Sequence, residues 1–236
     1  MKFQVLNIDE VDSTNNWLRT HEGEAGLVVT AEHQTAGRGC GTNVWESERG
    51  RNLLFSVLLC PEHIAAAQQF RISMATALAI RSVVAREVPG EPVSIKWPND
   101  IYVGHRKICG TLIENQLSGS AIRRSIVGVG LNVNQQRFVS DAPNPVSLCQ
   151  LTGHEHDRKA LLDSILEQLD AYLTSEQTPC EYRRQLYRRG TVGRYRDAGG
   201  EFLAELITVE DDGRLLLRHA SGQQRHYAFK EVQFII

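Results

Sequence analysis

Apolar and polar residues alternate along residues 2–8 and predict a first strand, after which Asp12 and Ser13 offer side-chain oxygens to cap a short helix over 15–20. Residues 27–31 are β-branched and apolar, as in a buried strand, and 52–59 form the next apolar run beyond a glycine-rich loop. Pro61 stands where a helix would begin. Residues 63–87 then interleave Ile64, Phe70, Met74, Leu78 and Ile80 with many alanines, so the segment is apolar around most of its circumference and predicts a long buried helix. Three short strands follow at 93–97, 101–103 and 107–114, separated by turn residues. A further strand at 125–134 is apolar on both faces, as expected of a central position.

A loop containing proline and asparagine, 140–146, leads into Arg158–Thr174, where Leu162, Ile165, Leu166, Leu169, Tyr172 and Leu173 form one helical stripe. A second short helix is expected over 181–189, ended by Gly190. The period then switches to two, with strands at 202–209, 214–219 and 226–234 and hairpin turns at 211–213 and 221–222. The pattern predicts an α/β chain of the α+β type: a large mixed-sheet domain flanked by helices over 1–187, then a small all-β barrel over 188–236.

Composition narrows the function classes. With 42% hydrophobic and 23% charged residues the 236-residue chain reads as globular and able to bury a full core. A net charge of −2 lacks the basic footprint of a dedicated nucleic-acid binder. The start, MKFQVLNID, has no signal-peptide pattern, and no run approaches the roughly 18 apolar residues of a membrane span. Five cysteines (Cys40, Cys60, Cys109, Cys149, Cys180) are odd in number and form no CxxC pair. That argues against a disulfide framework or zinc site and suits a reducing, cytoplasmic setting.

Four segments carry candidate chemistry. QTAGRGCG at 34–41 sets three glycines and Arg38 between two strands; glycine lets backbone N–H groups approach an anion, though a plain surface turn has the same composition. KWPND at 96–100 puts Asn99 and Asp100 directly after Pro98, which is also an ordinary turn signature. KICGTLIE at 107–114 opens an apolar strand with Lys107, either a solvated strand end or a site cation. Gly110 within it is expected to mark close approach of a ligand. GVGLNVN at 128–134 places Asn132 in apolar surroundings, where it must be a structural hydrogen-bonder or a ligand contact.

Taken in order, DSTN (12–15), QTAGRG (34–39), NVWES (43–47), KWPNDIY (96–102), RKICGTLIE (106–114) and GLNVN (130–134) resemble the catalytic core of biotin protein ligases, also called biotin–[acetyl-CoA-carboxylase] ligases. The resemblance runs from about residue 9 to 135, and the β-rich C-terminus fits that family's small SH3-like β-barrel domain. It implies a two-step reaction. Biotin and MgATP form biotinyl-5′-AMP and pyrophosphate, and a lysine of a biotin carboxyl carrier protein or domain then displaces AMP.

Residue roles follow from the same resemblance. Arg38 and Lys107 supply cations that offset repulsion between a carboxylate and a triphosphate, with Lys107 against the biotin carboxylate. Ser13, Thr14, Asn15 and Gln34 match the positions that bind the ureido group, and Trp45 forms a wall. Gly37, Arg38, Gly39 and Cys40 belong to a loop wrapped around the ligand, with Gly110 at the biotin pocket. Asn99, Asp100 and Asn132, with Arg38 and Lys107, fall at nucleotide positions. Mg²⁺ arrives with ATP, near Asp100, which is also the candidate to take the acceptor lysine's proton.

Two departures stand out. Many relatives carry further arginines after GRG, where this chain has Cys40, Gly41 and Thr42; the resemblance therefore implies faster release of biotinyl-AMP. Some relatives begin with a DNA-binding helix-turn-helix, for which the early DSTN leaves no room, so no operator binding is expected. Two other readings stay open: a lipoate or octanoate ligase of the same fold, whose arginine-rich, triple-glycine motif is missing here, and a non-catalytic biotin-binding regulator. Sheet-edge pairing could give a homodimer.

Overall fold

The computed structural model describes residues 1–41, 43–61, 64–140 and 144–236. Thr42 in the glycine loop, His63 at the expected helix start and part of the 140–146 loop lie outside them. Seven strands build the first sheet: β1 (Gln4–Val11), β2 (Leu27–Gln34), β3 (Leu53–Leu59), β4 (Val93–Lys96), β5 (Asp100–Val103), β6 (Arg106–Ser118) and β7 (Ala121–Leu131). Their order across the sheet is β1-β2-β3-β7-β6-β5-β4. Only β1 and β2 pair in parallel; every other neighbour is antiparallel. The sheet is mixed, as expected.

β3 explains how one sheet serves both a core and a site. All seven of its residues are buried, and strand alternation sends them to opposite faces. Leu53, Phe55, Val57 and Leu59 join the main core with α2 (Phe70–Glu87). Leu58, from the other set, packs with Leu18 of α1 (Thr14–Thr20), Val29 and Ile126 in a second, smaller cluster. Ser56 shares that face and is fully buried. On the core side, α2 lies beside α3 (Leu148–Thr152), α4 (Arg158–Thr174) and α5 (Thr178–Arg184).

Several boundaries differ from the pattern reading, each for a visible reason. The long helix begins at Phe70, after a single 3-10 turn at Ala66–Gln68. The backbone before it is committed elsewhere: Ala65 bridges Ala121, and the Ala66 N–H donates to the Ser120 carbonyl at 2.8 Å. The helix expected over 181–189 is instead α5, shifted towards the N-terminus with Pro179 in its first turn. It stops because the Gln185 carbonyl accepts from Ile95 and the Tyr187 N–H donates back to it, both at 2.8 Å, capturing the chain against β4.

The second sheet has five antiparallel strands: β8 (Val192–Asp197), β9 (Gly200–Val209), β10 (Leu215–His219), β11 (Gln224–Tyr227) and β12 (Gln233–Ile235), in the order β11-β10-β9-β8-β12. It is not closed into a barrel, which corrects the sequence expectation. The run 226–234 is two short strands, not one. They separate at a turn where the Glu231 N–H donates to the Ala228 carbonyl at 3.1 Å and the Ala228 N–H donates to Glu231 Oε2 at 2.7 Å. β11 and β12 are thus left on opposite edges, without the stagger that would pair them. β8 escaped the pattern reading because charges interrupt it; Arg194 and Arg196 both reach Glu201. The buried cluster nonetheless continues from α2 through Tyr182 into Tyr195, Leu206 and Leu217 of this sheet. Trp97 fastens the two sheets, its Nε1–H donating to the Gly213 carbonyl at 2.8 Å.

Candidate active site

A cavity of about 710 Å³ opens between the α1 face of the first sheet, the loop after β2 and the β11–β12 turn. Its floor is made by glycines. Gly110 of β6 sits directly opposite Gly130 of β7, and Gly128 lies opposite Leu112. Being two apart on one strand, Gly128 and Gly130 present the same face. A methyl group at Gly130 would collide with the Trp45 indole, and one at Gly128 with the Asn15 amide. The bare backbone therefore lets Trp45 and Asn15 lie flat against the sheet and leaves a slot beside them.

One end of the slot is a buried polar network. Gln34 Oε1 accepts from the Thr14 N–H at 2.8 Å and from Thr14 Oγ1 at 3.1 Å. Ser56 Oγ lies 2.7 Å from Thr14 Oγ1 and 2.6 Å from Asn15 Oδ1. Asn15 Nδ2 donates to Glu114 Oε2 at 2.9 Å and to the Leu112 carbonyl at 3.2 Å. Thr14 gives its hydroxyl proton to Gln34, so Ser56 has one proton for two acceptors. The network is short of a donor. Ser13 occupies the N-cap of α1 but makes no side-chain cap bond, leaving its buried hydroxyl to line the cavity.

The other end is ionic. Lys107 Nζ lies 2.6 Å from Asp100 Oδ1, and Lys96 Nζ lies 3.8 Å from Oδ2 of the same carboxylate. Two ammonium groups thus share one carboxylate, the only one among the described lining residues. Lys107 also stands 5.6 Å over the Trp45 ring. Burial, aided by the nearby Lys107 charge, pulls the Lys96 amine below the ordinary lysine range, with Asp100 working in the opposite sense. Arg38 is placed apart from this cluster: its Nη1 lies 3.1 Å from Asn16 Oδ1 and 3.4 Å from Glu114 Oε1, at the polar end. The loop behind it folds back on itself through an Arg38–Val44 bridge and the Gly39 N–H donating to the Asn43 carbonyl at 2.8 Å.

The cavity brings together Ser13, Thr14, Asn15, Gln34, Arg38, Gly39, Cys40, Trp45, Asn99, Asp100, Lys107 and Gly110. Two candidates do not line it. Gly37 is buried, and a Cβ there would meet the Trp45 carbonyl at 2.7 Å, so it sets the loop's path. Asn132 donates from Nδ2 to the Val146 carbonyl at 3.1 Å, while its buried Oδ1 has no partner. Asn99 spends its side-chain amide on the Thr111 carbonyl, tying the 98–100 turn to β6. Ser56, Lys96, Glu114, Gly128, Gly130 and the Phe229–Phe234 strip escaped the sequence reading. Ser56 had a signal, as the one polar residue in an apolar strand; the C-terminal strip, over 180 positions from the glycine loop, had none.

Trp45 Nε1 is buried and unpartnered; an unused polar atom beside a slot is what a bound polar ligand would satisfy. Among the described residues no group of three or more acidic, histidine or cysteine side chains could cage a metal. A magnesium ion would fit here as a companion of a polyphosphate, with Asp100 the nearest protein carboxylate.

The profile of the Biotin/lipoate A/B protein ligase family matches residues 6–132, more than half of the chain. The chain belongs to this family. It is 31% identical over 232 residues to the bifunctional ligase/repressor BirA of Bacillus subtilis, covering 94% of this chain and 70% of that protein. It is 30% identical to a biotin–[acetyl-CoA-carboxylase] ligase of Paracoccus denitrificans, covering 90% and 93%. The fold of the Aquifex aeolicus biotin protein ligase in complex with biotin and ATP superposes with a TM-score of 0.82 at 25% identity, covering 98% of this chain and 99% of that one. The family assignment covers β1 through β7, the elements that form the slot and its lysine pair.

Proposed function

We propose that this chain is an ATP-dependent biotin protein ligase, which forms biotinyl-5′-AMP and transfers biotin to a lysine of a carrier domain. The observation that carries this reading is one cavity with a donor-poor polar network at one end and a lysine pair on a single carboxylate at the other. A cyclic urea supplies N–H donors to the first, and a carboxylate meeting a polyphosphate needs the cations of the second. The Paracoccus denitrificans relative is a biotin–[acetyl-CoA-carboxylase] ligase, and the Aquifex aeolicus biotin protein ligase holds both biotin and ATP.

In the adenylation step, a biotin carboxylate oxygen attacks the α-phosphorus, the bond to the bridging oxygen breaks, and pyrophosphate leaves with the electron pair. Lys107 is assigned to the approaching carboxylate, exchanging Asp100 for it, and Lys96 to the phosphates. Ser13, Thr14, Asn15 and Gln34 orient the ureido end; Trp45, lying on Gly110 and Gly130, walls the ring. Arg38, Gly39 and Cys40 close over the adenylate, and Asn99 serves the nucleotide, while Asn132 braces the wall behind it through its bond to the Val146 carbonyl. In transfer, the acceptor lysine amine attacks the acyl carbonyl and AMP departs. Asp100, released from Lys107, is the carboxylate placed to take the amine's proton.

We assign the catalytic unit to residues 1–187 and the accessory β unit to 188–236. A cytoplasmic setting fits the free cysteines, and no helix among the described residues is long and apolar enough to cross a membrane. β1, an edge strand with Val5 and Leu6 exposed, is where two chains would pair in a homodimer. The test is incubation with MgATP and a biotin carrier domain, with biotin, lipoate and octanoate in competition. Acceptor labelling by biotin alone is expected. Labelling by lipoate or octanoate instead would move the chain to the other branch of its family, and binding without labelling would make it a regulator.

A further inference from the structure

The cations around the cavity are not equally available. Arg38 is held by Glu114 and Asn16, and Lys96 and Lys107 share Asp100. Lys230, on the turn between β11 and β12, also lines the cavity. Among the described residues no carboxylate lies within ion-pair distance of it; its ammonium stands 5.8 Å over the Phe229 ring. It is an exposed ammonium facing a shared cavity.

Its placement is built. The turn is fixed by the Ala228–Glu231 hydrogen bonds, by the edge of Phe229 against Trp97 at 6.4 Å, and by buried Tyr227 and Val232 on either side. Lys230 itself adopts φ 71°, a left-handed conformation that is strained for a lysine. Asparagine or glycine would relieve that strain without supplying a charge. Opposite stands Gly41, also at φ 71°, and a Cβ added there would lie 3.1 Å from Lys230 Nζ. The loop leaves space where the lysine arrives.

We propose that Lys230 is a nucleotide-binding residue: it reaches from the second sheet across Gly41 and binds the polyphosphate of ATP. The proposal rests on the reading of the cavity as a biotin and ATP site. It makes the second sheet a contributor to the first chemical step, with the β11–β12 turn and the glycine loop closing on the phosphates from two sides. A strongly negative polyphosphate suits this cation because the cavity's other cations are already partly neutralised.

The test is the rate of biotinyl-AMP formation by the full chain against MgATP concentration, with the biotin Kd measured in parallel. Lys230→Ala is expected to raise the KM for ATP by about tenfold, corresponding to about 1.4 kcal/mol, and to leave the biotin Kd unchanged. Lys230→Arg should retain the wild-type KM, and Lys230→Glu should exceed the alanine effect. Lys230→Gly separates charge from backbone. It should match alanine in ATP KM while its Tm is no lower than wild type, because glycine is at ease at this φ. A wild-type ATP KM in the alanine and glycine variants would overturn the proposal, as would a defect confined to the KM for the carrier domain. A wild-type chain that forms no biotinyl-AMP would instead overturn the functional reading beneath it.

Discussion

The two ends of the cavity are organised by different physics. At the α1 end, Thr14, Asn15, Gln34 and Ser56 are locked to one another and to β6 by hydrogen bonds. At the Trp45 end, Lys96, Lys107 and Asp100 are joined only by charge, and among the described residues no carboxylate pairs with Lys230. Buried hydrogen-bond networks are stiff and costly to leave half-made. Ion pairs at a cavity mouth can trade partners, because an incoming anion replaces the attraction it displaces. The first end is suited to selecting a neutral ring, and the second to following a charge as it moves from carboxylate to phosphate.

Breaking the ionic end should have the largest effect and spare binding at the other. Lys107→Ala is expected to lower adenylation by about 10²–10³-fold, as for loss of one preorganised transition-state donor, with biotin affinity reduced far less. At the opposite, polar end, Arg38→Ala should also collapse acceptor labelling. Single-turnover rates beside biotin titrations check both, and full activity in either variant would remove that residue from its role.

The flat floor comes next. Gly130→Ala forces a methyl group into the Trp45 indole, and overpacking of this kind costs about 1–3 kcal/mol. The expected signature is weaker biotin binding with a lowered Tm. Unchanged binding would show that Trp45 can move away and that the slot does not depend on it.

A smaller effect tests the polar end. Ser56→Ala removes the hydroxyl between Thr14 and Asn15, and a lost buried hydrogen bond of this sort costs about 0.5–1.5 kcal/mol. Biotin Kd should rise by up to about tenfold while the KM for ATP stays constant. A shift in both would mean the two ends are not separable.

The smallest concerns pH. Burial lowers the Lys96 pKa in the folded chain, so between that lowered value and the ordinary lysine pKa of about 10.4 the unfolded chain binds more protons. This contribution to stability is therefore fully present above the ordinary value and is lost as pH falls through the lowered one. Polyphosphate favours the charged amine, so ATP binding should take up a proton in the same window. Lys96→Met should flatten both dependences, measured by denaturant midpoints and ATP affinity across alkaline pH.

Legibility in the sequence tracked locality. β3 and α2 were plain because periodicity and length record burial directly. The floor is half-visible in the sequence: Gly110 inside an apolar strand marks close approach, whereas Gly128 and Gly130 carry only a spacing of two that puts them on one face, beside the more conspicuous Asn132. The helix shifts at 61–70 and 178–189 were illegible, because the carbonyls that capture those backbones belong to β4 and the β6–β7 turn. Lys230 was invisible for the same reason. Nothing near it in sequence indicates that the β11–β12 turn faces the glycine loop, and the break at 228–231 that aims it is also what keeps the second sheet open.

If one cavity joins a biotin carboxylate to ATP before any acceptor arrives, biotinyl-AMP forms without a carrier domain. Mass-spectrometric detection of biotinyl-AMP from the purified chain, given biotin and MgATP without a carrier domain, tests this most directly. Adenylate is expected to accumulate in the wild type, with almost none in Lys107→Ala and none when lipoate or octanoate replaces biotin. Adenylates of those acids in place of biotinyl-AMP, or biotin bound with no adenylate at all, would contradict it.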